Sequence, residues 1–255
     1  HQYEVSSMDK KTNTEVLPLI NNNQKNNMIL VNPETRKKAV DNIVKLVNNN
    51  NYGGVNIDFE YLPSWTRDGY TAFIKTLDKK LDKYNKLLTV SVFPKINVPL
   101  SLHGAYDYEA IEPYIDRLVI MTYDFHYSTG SPGAVAPIKW VEDNIKYTLE
   151  YIPDNKIMLG IANYGYDWSH EGLGKDLSAK KAFKIAEENN AEIKWDNNTQ
   201  TPYFQYKKNG VKHEVWFENS YSLKHKLDLV NKYNLKGIGI WRLGNADQRF
   251  WKVIE

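Results

Sequence analysis

Cysteine is absent from the 255 residues. That excludes a disulfide framework and thiolate metal sites, and it is compatible with secretion without requiring it. No apolar run approaches the roughly 18 residues of a membrane span. The net charge of +2 leaves no basic surplus to recruit nucleic acid or an anionic membrane. The six histidines show no metal-ligand spacing, so neither a metal nor another cofactor is expected. His1 opens the chain without a methionine or an apolar signal region, so the sequence is expected to be a piece of something longer. Aromatic residues, by contrast, are plentiful, with 18 tyrosines and seven tryptophans. Most belong in a core, but sugar-binding clefts use the same rings, because the faces of pyranose rings are apolar.

The length suits one barrel-sized domain, and a monomer is expected. Short apolar runs alternate with helical stripes. Strands are expected at 1–5, at Glu15–Ile20 as a buried strand carrying Pro18, at 54–60, at Leu87–Phe93, at Arg117–Asp124, at Lys156–Ala162 and at Gly237–Trp241. Asn21 to Asn27 reads as a polar loop. Asn32-Pro33 reads as a cap and first turn, followed by an apolar face of Ala39, Val40, Ile43, Val44 and Val47. Tyr70, Phe73, Leu77 and Leu81 mark a second helix, a third lies near Tyr108–Tyr114, and a fourth follows Trp140. This alternation predicts an α/β fold on a parallel sheet. The rhythm changes after Trp168: a helix at 179–188 is followed by two strands joined at Lys208-Asn209-Gly210, a hairpin signal. The expected layout is a barrel over 1–168 and 231–255, with a small α+β insertion over 169–230.

The most informative stretch is Tyr52-Gly53-Gly54-Val55-Asn56-Ile57-Asp58-Phe59-Glu60-Tyr61. Side chains alternate faces along a strand, so Asn56, Asp58 and Glu60 share one side and Val55, Ile57 and Phe59 the other. A polar row on so apolar a strand suits the inward-facing C-terminal end of a barrel strand, where barrel enzymes place their chemistry. Two carboxylates crowded in a partly buried mouth have their pKa values pushed apart, leaving one acid to donate a proton and the other charged. An Asp-x-Glu pair is equally a common surface pair or the ligand set of a structural cation. Tyr123 and Asp124 alone read as a strand end and a cap, Trp241 alone as core, and Tyr164, Tyr166 and Trp168 as packing against the insertion.

Gly-Val-Asn-Ile-Asp-Phe-Glu resembles the signature strand of glycoside hydrolase family 18, D-x-x-D-x-D-x-E, with its last two acids at Asp58 and Glu60. The first two acidic positions fall on Gly53 and Asn56, a departure that removes a second Asp able to share a proton with Asp58. Met121-Thr122-Tyr123-Asp124 resembles the family's M-x-Y-D. Tyr164-Gly165-Tyr166-Asp167-Trp168 and His213-Glu214-Val215-Trp216-Phe217 resemble bacterial members that act on spore cortex. Gly239-Ile240-Trp241 resembles the eighth strand, while Trp241-Arg242-Leu243-Gly244 is closer to members fused to polysaccharide-modifying domains. The resemblance covers nearly the whole chain.

The resemblance implies a (β/α)8 barrel, whose first strand would lie upstream of His1, since two strand candidates precede 54–60 where the family has three. It also implies substrate-assisted retaining cleavage beside N-acetylglucosamine, in peptidoglycan or spore cortex, with chitin, an exopolysaccharide or a catalytically silent sugar-binding barrel as alternatives. Glu60 would be the acid, Asp58 the partner of the acetamide N–H, and Tyr123 the donor to the acetamide oxygen. Asn56 would steady Asp58, Asp124 would contact a sugar hydroxyl and Trp241 would floor the sugar ring. Tyr164, Tyr166 and Trp65 are further candidates for lining the cleft. The partner is then a glycan, and the setting secreted, at a cell wall or spore.

Overall fold

The computed structural model describes residues 14–23, 27–170, 172–244 and 248–254. The strand expected at 1–5 lies outside them. Contacts divide the chain into two compact units, His1–Ile120 with Thr148–Ile157, and Met121–Tyr147 with Met158–Glu255.

In the first unit, β1 (Leu19–Asn21), β2 (Gly54–Asp58), β3 (Leu87–Val92) and β4 (Arg117–Ile120) run parallel in that order. Helix α1 (Pro33–Asn49) connects β1 to β2, and α2 (Arg67–Leu81) connects β2 to β3. Asn32 caps α1 by accepting from the Thr35 N–H at 2.9 Å, as the Asn-Pro pair predicts. Val40, Ile43, Val44 and Val47 of α1 and Tyr70, Phe73, Leu77 and Leu81 of α2 are buried. So are Val55, Ile57 and Phe59, and Phe59 stacks on Phe73 with ring centroids 5.2 Å apart. The apolar half of the signature strand therefore faces the helices. Gly54 is required where β2 meets β3, because a Cβ there would lie 2.1 Å from the Leu87 carbonyl oxygen.

Two strands are shorter than expected. Of Glu15–Ile20, regular pairing begins at Leu19, and Leu19 is 41% exposed rather than buried. The preceding residues still follow β2, with Val16 and Pro18 carbonyls accepting from Gly53 and Asn56. Proline has no N–H to give the ladder, which shortens the regular part. The run Arg117–Asp124 stops being a strand at Ile120, because the Tyr123 N–H turns back to Met121 O and Asp124 adopts φ +58°.

In the second unit, β5 (Ile157–Ala162) pairs in parallel with β11 (Gly237–Trp241). An antiparallel sheet of five strands lies between them in sequence: β6 (Tyr164–Ser169), β7 (Lys175–Ser178), β8 (Lys194–Asp196), β9 (Thr201–Lys208) and β10 (Val211–Phe217), in spatial order β7-β6-β10-β9-β8. The sequence pattern showed two of these strands. Asn209 and Gly210 take φ +51° and +83°, the conformation a two-residue hairpin turn demands. One face of this sheet packs Leu177, Phe204, Val215 and Phe217 against the helix Ala179–Glu188. The other face carries Tyr164, Tyr166 and Trp168, clustered with Val135 and Ala162.

The second unit also buries an ion pair. Lys226 Nζ, on the helix Ser220–Lys232, donates to Glu218 Oε2 at 2.7 Å, and the two side chains are 1% and 0% exposed. Removing one partner of such a pair leaves an uncompensated charge, whereas removing both does not. Lys226→Met is therefore expected to cost about 3–5 kcal/mol. Lys226→Met combined with Glu218→Leu is expected to recover most of it, as measured by urea unfolding.

Candidate active site

The ladder between β2 and its neighbours ends at Asp58, and the polar row points away from α2. Asn56 sits opposite Thr89 in the register, so Asn56, Asp58, Thr89 and Ser91 share a face. Asn56, expected to steady Asp58, donates from Nδ2 to Ser91 Oγ at 3.0 Å. Asp58 is 8% exposed, and its Oδ1 has no hydrogen-bond partner among the described residues. Burial raises its pKa, since a charged carboxylate is costly where water is excluded.

Beyond the ladder, side chains take over the backbone. Tyr106 is buried and its hydroxyl donates to Phe59 O at 2.6 Å. The Glu60 N–H donates to Asn22 Oδ1, and Asn22 Nδ2 donates back to Glu60 O, both at 2.8 Å. Tyr106 is itself held: Lys95 Nζ donates to Tyr106 O at 2.5 Å and His103 O at 2.9 Å. Burial pulls the Lys95 ammonium down to about 8. Sequence reading missed Asn22, Tyr106 and Lys95. An asparagine just after a strand was the available signal for the first, and it read as a polar loop. Trp65 stands on the 3-10 turn Ser64–Thr66 and is 68% exposed.

In the second unit, Thr122 Oγ1 donates to Gly160 O at 2.8 Å and anchors the turn that carries Tyr123 and Asp124. Asp124 Oδ1 accepts from the hydroxyls of Tyr164 and Tyr166 at 2.8 and 2.9 Å. Strand alternation places Tyr164 and Tyr166 on one face of β6, so both reach the same oxygen. Burial raises the Asp124 pKa against the two hydroxyls, which favour the anion. The Tyr123 ring lies edge-on to Tyr164, centroids 6.5 Å apart. Tyr123, Asp124, Tyr164 and Tyr166 thus form one cluster, and Tyr164 and Tyr166 act as Asp124's hydrogen-bond donors. Trp241 closes β11 with 43% of its surface exposed. The residue after it is gripped by Asn163, which accepts from Arg242 N at 2.8 Å and donates to Arg242 O at 2.7 Å.

These contacts separate stability from chemistry. Burial raises the folded-state pKa of Asp58 above its unfolded value, so the folded protein keeps this proton to higher pH. The charge therefore subtracts stability, from nothing below about pH 4 to its full effect above the folded pKa. Asp58→Asn is expected to raise the unfolding midpoint at pH 7, with the gain vanishing as pH falls below about 4 in thermal melts. Asp124→Ala strands two buried tyrosine hydroxyls and puts alanine at positive φ, at an expected cost of about 1–3 kcal/mol. Asp124→Asn, tolerated at that φ and still an acceptor, is expected to cost less in the same unfolding measurement.

Comparison with known proteins places these residues in a family. The chain is 32% identical over 264 residues to the cortical fragment-lytic enzyme of Bacillus subtilis, covering 98% of this chain and 61% of that one. It superposes on the spore cortex-lytic enzyme SleL of Bacillus megaterium with TM-score 0.91 and 30% identity, over 98% of this chain and 61% of SleL. A chitinase of Chromobacterium violaceum gives TM-score 0.92 at 29% identity, over the whole of this chain and 83% of that structure. The chain thus spans less than two thirds of the length of the two cortex enzymes. Its fold class is theirs, the α/β TIM-type barrel. The profile for Glycosyl hydrolases family 18 matches residues 2–246, and the chain belongs to that family.

Proposed function

We propose that this chain is a retaining glycoside hydrolase that cleaves β-1,4 bonds beside N-acetylglucosamine in spore-cortex peptidoglycan, acting as a monomer outside the cytoplasm. The observation that carries the reading is the buried carboxylate of Asp58, with an unmet oxygen and a raised pKa, two positions before Glu60 on the polar face of β2. Perturbed carboxylates of this kind concentrate at catalytic sites. The likeness to a cortical fragment-lytic enzyme favours cortex over chitin as the target.

In this reading the reaction follows the substrate-assisted route that departs from the usual two-carboxylate scheme. Glu60 gives its proton to the glycosidic oxygen as that bond to C1 breaks. The carbonyl oxygen of the substrate's own acetamido group bonds to C1 and forms an oxazolinium ion. Asp58 accepts the acetamide N–H and offsets the positive charge growing on the ring. Tyr123 donates its hydroxyl to the acetamide oxygen, and Trp241 lies beneath the sugar. Water then attacks C1, Glu60 takes its proton, and the anomeric configuration is retained. Asn56 and Asp124, with its two tyrosines, define the substrate-facing polar surface of their own units, and Trp65 is an exposed ring available to the glycan.

Digestion of purified cortex followed by mass spectrometry tests the proposal. The wild type is expected to release fragments with new reducing-end N-acetylglucosamine, and Glu60→Gln to be slower by about 10²–10⁴-fold. De-N-acetylated glycan is expected to remain uncut. Binding without cleavage by both proteins would identify a sugar-binding barrel instead. Because Asp58 works as the anion and its pKa is raised, the acid limb of kcat/KM is expected to lie above the ordinary carboxylate range and to be lost in Asp58→Asn.

A further inference from the structure

Glu60 lies past the last rung of its strand. The register between β1 and β2 ends at Asn21 opposite Asp58, and β2 ends there too. A side chain that must present a proton at one point in space therefore sits where the sheet no longer holds the backbone. Two side chains from distant parts of the chain supply the missing constraints. The peptide between Phe59 and Glu60 is held at both ends, its carbonyl by the Tyr106 hydroxyl and its N–H by Asn22 Oδ1. The next peptide is held through the Glu60 carbonyl by Asn22 Nδ2. Fixing the peptide planes on both sides of a Cα fixes its φ and ψ, and with them the direction of the Cα–Cβ bond.

We infer that Asn22 is a positioning residue for the proton donor, acting through the Glu60 backbone; this rests on the reading of Glu60 as the general acid. A carboxamide presents an acceptor oxygen and an N–H donor along one edge, and Asn22 uses both on a single residue. It acts as one further rung of the parallel ladder, built from a side chain where β1 has run out of paired backbone. Aspartate keeps the acceptor and sets a second oxygen against the Glu60 carbonyl. Alanine can make neither bond. The same device recurs at the end of β5, where Asn163 grips both backbone groups of Arg242 beside Trp241. The consequence is geometric: a swing of about 15° on a side-chain arm of about 4 Å moves the carboxyl by about 1 Å, and a misplacement of that size costs about 10²-fold.

The test compares two substrates that differ in their need for a proton. An all-sugar cortex oligosaccharide with N-acetylglucosamine at the cleavage point has a poor leaving group and depends on Glu60. In a 2,4-dinitrophenyl glycoside of the same sugars the C1–O bond breaks to expel a stable phenolate, which needs little protonation. In Asn22→Ala, kcat for the all-sugar substrate is expected to fall about 10–100-fold with KM little changed. The dinitrophenyl glycoside is expected to keep kcat/KM within about threefold of the wild-type value, since kcat/KM ends at departure of the phenolate, a step that asks little of the acid and precedes the one in which Glu60 takes a proton from water. Asn22→Asp, which retains the acceptor, is expected to fall between, and it decides the matter by the same ratio if the alanine variant does not fold. Equal losses of kcat/KM on both substrates, or undiminished kcat on the all-sugar one, would overturn the inference. Glu60→Gln run alongside separates the two claims. If it retains the all-sugar activity, or if the wild type cleaves neither substrate, the parent reading fails. If it loses the all-sugar activity while both Asn22 variants keep it, the positioning role alone fails.

Discussion

The contact on which the first unit depends is the burial of one side of β2 against its helices. Val55 and Ile57 are fully buried, Phe59 nearly so, and the Phe59 ring stacks on Phe73. A strand has two faces, and committing the odd positions to an apolar core commits the even ones to the other side. A slip of one residue would bury Asn56, Asp58 and Glu60 under α2. The hydrophobic register is thus also what aims the carboxylates.

That arrangement carries a cost that the rest of the site absorbs. Asp58 is buried with an oxygen that no described residue meets, the costly kind of polar burial that functional sites retain. Asp124 stands at positive φ and is held there by two tyrosine hydroxyls. In both places the local geometry is tolerated because the surroundings are rigid: two parallel neighbours beside β2, and the turn anchor from Thr122 to Gly160 near Asp124. The device that recurs is the asparagine past a strand end, which extends hydrogen bonding by a side chain where the regular ladder stops.

Much of this was legible from local pattern. The alternation across 55–60, the Asn-Pro start of α1 and the stripe of α2 each depend on periods of a few residues, and each stands in the structure. The hairpin at Asn209-Gly210 was equally plain, because a tight turn needs particular residues at adjacent positions. Less was legible where pairing is non-local. Leu177 and Trp195 lie on short strands whose partners sit on other segments, and neither short run has a period of its own to announce it. Tyr164 to Trp168 read as the continuation of a barrel strand, and they pair in an antiparallel sheet.

By itself the sequence determined which residues carry charge beside the apolar half of β2, and that Asp58 and Glu60 share a face. Chemical identity and a two-residue period suffice for that. Only the tertiary structure decided what holds them. Asn22 reaches Glu60 across 38 residues and Tyr106 reaches Phe59 across 47. Tyr164 and Tyr166 meet Asp124 across 40 and 42. Contacts at such separations form when whole elements pack, so no local pattern in the chain encodes them.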